Sequence, residues 1–407
     1  MLQGGDPVRQ STTIWLSIIA MFSDMLRAVF SQLRRTKPPA VLAPRWNEDV
    51  LYQIFHYATP GDLVQVALVC RDWSPTARRL LYARMSFKSD APNASSLAHT
   101  MRTCPHLRDC VRFLAVTSGL ATRDTAIFDW LELIPEHGLR EVAVKLLGRN
   151  DQFKQLVLRS PAVRTVPKLM IRGLLVTSAE TLRSCLELPS LEWFSFHLRR
   201  EWGPVTLGAI PKLRRLSIGA YQYYSTIGHL LTILGPQLDH IDLDISGSGL
   251  AQDEIEQLVM VIQRHASRVR TLAIQSYHIP STPFIDDLVA HLPCLLHLHC
   301  GYGSYSNALF DHLPRGLRTL QLEGTYRHPF PVQDAIKVLD RVRQGQSELD
   351  ALSVVVQSDH AELADLASAC TRSEVRFRVL KLEKVDILSM GVTHDTCAPF
   401  EPSRLFS

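Results

Sequence analysis

Several catalytic signatures are missing from this chain of 407 residues. It has no Walker loop, no dinucleotide fingerprint, no GxSxG elbow and no HExxH pair. None of the eight cysteines stands in a CxxC pair, which excludes zinc ribbons and thioredoxin-like motifs. Eight thiols in a chain of this length do not make a disulfide scaffold, so reduced cysteines in the cytoplasm or nucleus are the expectation. Long basic runs are also absent, and a net charge of +4 is a weak bias. No nucleic-acid partner is expected. No apolar run reaches the roughly 20 residues of a bilayer span. The best one, Ile14 to Phe22, is soon interrupted by Asp24 and Arg27.

What is present reads as a folded protein. Hydrophobic residues make up 46% and charged residues 21% of the chain, in the range of globular domains. The length calls for two or more domains or one elongated repeat array. At the N-terminus, Trp15, Ile18, Ile19, Phe22, Met25, Leu26, Val29, Phe30 and Leu33 recur at helical spacing. They predict an amphipathic helix ending in Arg34, Arg35 and Lys37. Packing on the next domain is the favoured role for it, and membrane contact the less favoured one.

Pro38, Pro39 and Pro44 mark a boundary. Asn47 is a good N-cap, with Glu48 and Asp49 suited to the helix dipole. Val50, Leu51, Ile54, Phe55 and Ala58 line one side of the helix that follows. Pro60-Gly61-Asp62 breaks it and caps a second helix carrying Leu63, Val66, Ala67, Val69 and Cys70. A third helix runs from Pro75. Three short helices in about 40 residues bury too little surface to stand alone, so the module calls for a partner.

The residues here are specific. Asn-Glu-Asp-Val-Leu-x-x-Ile-Phe, then Asp-Leu-x-x-x-Ala-Leu-Val-Cys-Arg-x-Trp, then Ala-Arg-x-Leu-Leu-Tyr, resemble an F-box. The resemblance implies docking on a Skp-type adaptor and, through it, a place in a cullin-RING ubiquitin ligase. By that resemblance Pro44, Val50, Leu51, Ile54, Phe55, Leu63, Leu68, Val69, Cys70 and Trp73 form the core and the adaptor-facing surface. The run departs from the family's usual Leu-Pro-x-Glu opening: Pro44 stands several residues before Val50, with Trp46 near the usual leucine.

Beyond residue 100 the pattern apolar-x-x-apolar-x-apolar recurs eleven times, from Val111-Leu114-Val116 to Phe377-Leu380-Leu382. Starts fall roughly 22 to 32 residues apart, with helical stretches between them. Prolines such as Pro161, Pro189, Pro236, Pro293 and Pro314 punctuate the returns. The expected fold class is α/β: a three-helix F-box, then an irregular leucine-rich-repeat solenoid with parallel strands on one face and helices on the other. An unrelated α/β domain with a parallel sheet is the alternative. The whole resembles a fungal-type F-box protein with degenerate leucine-rich repeats. The expected divisions are 1–37 for the N-terminal helix and linker, 38–88 for the F-box, 89–390 for the repeats and 391–407 for a loose tail.

Side chains alternate along a strand, so the third and fifth motif positions face away from the core, onto a concave face. Trp193, Arg215, His240 and Asp242 then form one candidate client-binding patch, with Arg215 stacked on Trp193 or paired with Asp242. Val379 and Lys381 close the same face. His291, Cys294, His297, His299 and Cys300 do not converge as a metal site in this register, so neither metal nor cofactor is expected. Cys70 sits on an apolar stripe and reads as a small buried hydrophobe rather than a nucleophile. The sequence therefore points to a non-catalytic subunit that captures a protein client for ubiquitin transfer. The alternative is an interaction scaffold without that role.

Overall fold

The computed structural model describes residues 47–381 apart from 89–90, 119–124, 147–158, 177, 199–204, 209–211, 221–223, 246–250, 276–282, 325–329 and 357–362. The helix expected within 1–37, Pro44 and the tail from 391 lie outside the described residues. Among the described residues, no helix is long and apolar enough to cross a membrane.

Three helices come first. Asn47 caps α1 (Glu48–Phe55), its side chain accepting a hydrogen bond from the Asp49 N–H at 3.0 Å. α2 (Pro60–Ala67) opens on a capping box. Thr59 Oγ1 accepts from the Asp62 N–H at 3.3 Å, and the Asp62 carboxylate accepts from the Thr59 N–H at 3.2 Å. The cap is thus Thr59, with Pro60 at the first helical turn where its missing N–H costs nothing. α2 is shorter than the apolar stripe to Cys70 suggested. Leu68 and Val69 turn tightly, donating to the Gln65 and Val66 carbonyls. α3 (Ser74–Ala83) follows. Leu51, Phe55, Leu63, Val66 and Ala77 form the buried core of the three, with Ile54, Ala58, Ala67, Trp73, Leu80 and Leu81 packed around it. Trp73 meets Phe55 edge-on, ring centres 5.7 Å apart.

The rest of the chain builds one sheet of twelve parallel strands, hydrogen-bonded in strict chain order. They are β1 (Arg84–Lys88), β2 (Phe113–Ser118), β3 (Glu141–Leu146), β4 (Lys168–Val176), β5 (Trp193–Leu198) and β6 (Arg215–Ala220). β7 (His240–Asp244), β8 (Thr271–Gln275), β9 (His297–Cys300), β10 (Thr319–Gly324), β11 (Ala351–Val356) and β12 (Arg376–Lys381) complete it. The order never reverses, which sets the sheet apart from doubly wound α/β folds with a switch point.

Register is what makes the repeat work. Leu114, Val142, Leu169, Phe194, Leu216, Ile241, Leu272, Leu298, Leu320 and Leu352 stand side by side across ten strands. All are buried, as are the leading motif residues from Val111 to Leu349. Helices return between many of the strands and close this core. In the helix Gln252–His265, Ile255, Leu258 and Ile262 are buried at spacings that keep them on one face. One register shift interrupts the ladder, between Ile171 and Val176 of β4 against β5.

Two features depart from the sequence reading. β1 was not expected as a strand; it follows α3 without a break and pairs with β2. At the other end, the last motif was read three positions out of step. Phe377 pairs with Leu352, Val379 with Val354 and Lys381 with Val356, so Phe377 and Val379 stand in register with core residues, though Val379 stays exposed on this last strand. Phe377 indeed packs against the core. An odd shift exchanges the two faces of a strand. Arg376, Arg378 and Leu380, in register with Ala351, Ser353 and Val355, take the outward places assigned to Val379 and Lys381. The misreading arose because Val375 precedes its strand by one residue, while earlier repeats place their leading apolar residue two before it.

Candidate functional site

Two surfaces stand out, one on the three helices and one on the sheet. The first is apolar. Nine large hydrophobic side chains are exposed among the described residues, and five of them are Val50, Tyr52, Tyr57, Val64 and Leu68. These five fall within 19 consecutive positions in or just beyond α1 and α2. Leu68 is the most exposed at 76%, because the tight turn after α2 carries it outward. Single exposed hydrophobes need no explanation, but such a concentration marks an interaction site.

The second surface is the outward face of the sheet. Trp193, Arg215 and His240 are direct neighbours on β5, β6 and β7. The Arg215 guanidinium lies 5.4 Å from the Trp193 ring centre, and Lys168 Nζ lies 3.7 Å from it. Lys168 also pairs with Glu141 at 3.1 Å. Trp193 is therefore already covered by two cations. The stack of Arg215 on Trp193 is present, whereas Asp242 pairs in register with Ser217 rather than with Arg215.

Burial tunes the titrating groups on this face. His240 is held down to about 4 by its burial, with Arg215 and His297 adding to the effect. Burial pushes the Asp242 carboxyl up to about 6; Asp244 raises it further, while His299 and Ser217 pull it back. Three buried polar atoms here lack a hydrogen-bond partner in the protein: Trp193 Nε1, Ser217 Oγ and Asp242 Oδ1. Ser217 is near enough to Asp242 to ease its ionisation but does not complete a hydrogen bond of ordinary geometry.

The histidines and cysteines once weighed as metal ligands have separate roles. His297 Nδ1 meets Thr319 Oγ1 at 2.8 Å, and His299 Nε2 lies 3.1 Å from Glu323 Oε1. Cys300 is buried in the core, His291 bonds the Asp287 carbonyl on its own helix, and Cys294 is exposed.

The family model for F-box-like domains matches residues 48–88. That span holds all three helices and β1. The match supports an F-box protein that binds a Skp-type adaptor, a role associated with ubiquitin ligase complexes. Among curated proteins, none matches the chain.

Within the F-box-like domain the structure sorts the described adaptor residues named from sequence into buried, half-buried and exposed sets. Leu51, Phe55 and Leu63 are buried and hold the helices together. Ile54 and Trp73 are half-buried and pack against that core. Val69 and Cys70 are half-buried in the turn after α2. Val50 and Leu68 are exposed and free to contact a partner. Tyr52, Tyr57 and Val64 belong with them and were missed. Their signal was in the sequence: they are apolar or aromatic residues standing outside the core stripe, where a lone soluble module would carry charge. On the sheet, His197 and Glu323 take a third outward position that the longer strands present beyond the motif.

Proposed function

We propose that the chain is the substrate-recognition subunit of a Skp–cullin–F-box ubiquitin ligase. The F-box binds the adaptor, and a leucine-rich-repeat solenoid formed by the sheet and its returning helices holds a protein client. The observation that carries this reading is the cluster of exposed hydrophobes on α1 and α2, lying inside the F-box-like match. A small helical module that leaves five large apolar side chains in water gains stability by covering them with a partner. Catalysis of ubiquitin transfer belongs to other subunits. This chain contributes effective concentration, bringing client lysines within reach of the charged conjugating enzyme.

The client surface is the outward face around Trp193, Arg215, His240 and Asp242, where aromatic and arginine side chains of the hot-spot type stand together. The divisions 38–88 and 89–390 separate the two tasks. Seven described cysteines carry free thiols, in keeping with a cytoplasmic or nuclear location. Affinity capture of the full chain, followed by reconstituted ubiquitin transfer, tests the reading. Capture of a Skp-type adaptor together with ubiquitin transfer to a co-captured protein supports it. Capture of the adaptor without any transfer supports the scaffold alternative, and absence of the adaptor overturns both.

A further inference from the structure

The outward face of the sheet changes sign halfway along. From β1 to β6 it carries Arg84, Lys88, Lys145, Lys168 and Arg215 against one carboxylate, Glu141. From β7 to β11 no lysine or arginine stands on it among the described residues, while Asp242, Asp244 and Glu323 do. β12 brings Arg376 and Arg378 back to the far edge, so a partner lying across the face meets positive charge over β1–β6, negative charge over β7–β11 and positive charge again at the end.

Asp242 stands at the boundary of the negative half, on β7 beside β6, and one of its carboxylate oxygens is set for a donor that the protein does not supply. Its Oδ1 is buried without a hydrogen bond. Ser217, its register neighbour on β6, is 6% exposed, and its Oγ is also without a partner. Its neighbour on β8 is Ala273, too short to reach the carboxylate. One step along the strands, Asp244 stands beside Gly219, which the His197 ring overlies: a Cβ there would fall 2.3 Å from His197 Cδ2. Small residues flank Asp242 on both sides, whereas Asp244 stands between Gly219, covered by the His197 ring, and Gln275. Leaving a buried acceptor unmet is costly, and a buried ion without a counter-charge more so.

We propose that this notch captures one basic side chain, arginine or lysine, from a protein segment bound across the face. The inference rests on reading the face as the client surface, and it specifies the client's chemistry there. An ammonium or guanidinium group supplies the donor that Asp242 Oδ1 lacks and adds a permanent charge to the pull of His299, and Ser217 Oγ can accept a second hydrogen bond. The same geometry sets direction. Lys168 and Arg215 already occupy the two sides of Trp193, so a second cation is repelled there and belongs over β7. Toward β4–β6 the segment presents acidic or neutral residues.

The test uses the immobilised full chain and a positional-scanning library of 12-residue peptides. The expected result is selection for arginine or lysine at one position, with acidic residues favoured on one side of it. Asp242→Asn should lower the basic preference at least tenfold and keep the acidic one, with unchanged circular dichroism confirming the fold. Selection without a basic preference, or a preference undiminished in Asp242→Asn, overturns the notch and leaves the client surface standing. Selection of no peptide at all overturns both.

Discussion

Removing the two most outward side chains of α2 and its turn should separate binding from folding. Leu68 is 76% exposed and Val64 is 44% exposed, so neither contributes much to the module's own core. Leu68→Ala removes three carbons and Val64→Ala two. At about 0.8 kcal/mol per methylene buried, and allowing for the part of Val64 already covered, an adaptor that buries both loses about 3 kcal/mol. That is roughly a hundredfold in affinity. Surface truncations of this kind shift folding stability by only about 0.5 kcal/mol. Titration calorimetry of the double variant against a purified Skp-type adaptor reads the first number, and thermal unfolding followed by circular dichroism reads the second. Phe55→Ala provides the contrast: Phe55 is buried and packs edge-on against Trp73, so its loss costs about 3–5 kcal/mol and binding falls because the module unfolds. A folded double variant that binds the adaptor as tightly as the parent would refute the assignment of this surface.

Other perturbations follow from the sheet. Trp193→Ala together with Arg215→Ala should abolish client capture in pull-downs while adaptor binding stays at the parental level. His240 is depressed to about 4, so the folded state resists a proton that the unfolded chain accepts near 6.5; stability is lost as pH falls from about 6.5 to about 4. Asp242 is raised to about 6, so the folded state holds its proton longer, and stability is lost as pH rises from about 4 to about 6. The two slopes oppose each other, each on the order of 3 kcal/mol in total. His240→Gln should therefore gain stability at pH 4.5, and Asp242→Asn at pH 7.5, in urea unfolding. Gly235→Ala should destabilise by about 1–3 kcal/mol, since a Cβ there falls 2.9 Å from the His265 carbonyl oxygen, a backbone atom that cannot swing aside. Thermal unfolding checks it.

Much of this was legible in the sequence because it depends on periodicity. The six-residue apolar pattern located ten of the twelve strands and chose the correct face for Trp193, Arg215, His240 and Asp242. It failed at the ends, where repeats lose a neighbour. β1 carries Tyr82, Met85 and Phe87 at the motif spacing, but it follows α3 without a break, and Tyr82 reads there as the last residue of the helical stripe. β12 enters from Glu374 in a left-handed turn, φ 57°, which shortens the lead-in by one residue and invites the wrong phase. Whether an apolar helix residue such as Leu51 or Leu68 faces core or solvent also escaped the pattern. Leu51 is buried by the packing of three helices, and Leu68 is carried outward by the tight turn at Gln65–Val69, neither of which shows in one helix's spacing. The buried state of Ser217 and the unmet oxygen of Asp242 depend on what adjacent strands carry, which no single repeat contains.

The junction at Ala83–Arg84 has a mechanical meaning. α3 ends and β1 begins with no residue between them, and α3 touches both cores, Leu80 and Leu81 on one side and Tyr82 on the other. The two surfaces consequently share one frame, with no swivel to average over. Their relative bearing is a rotational phase fixed by the length of a single helix, in which each residue counts for about 100° and 1.5 Å. On the proposed function, a cargo held on the sheet would thereby be aimed, like an instrument on a fixed mount, and its lysines would keep a constant heading toward whatever stands across the gap.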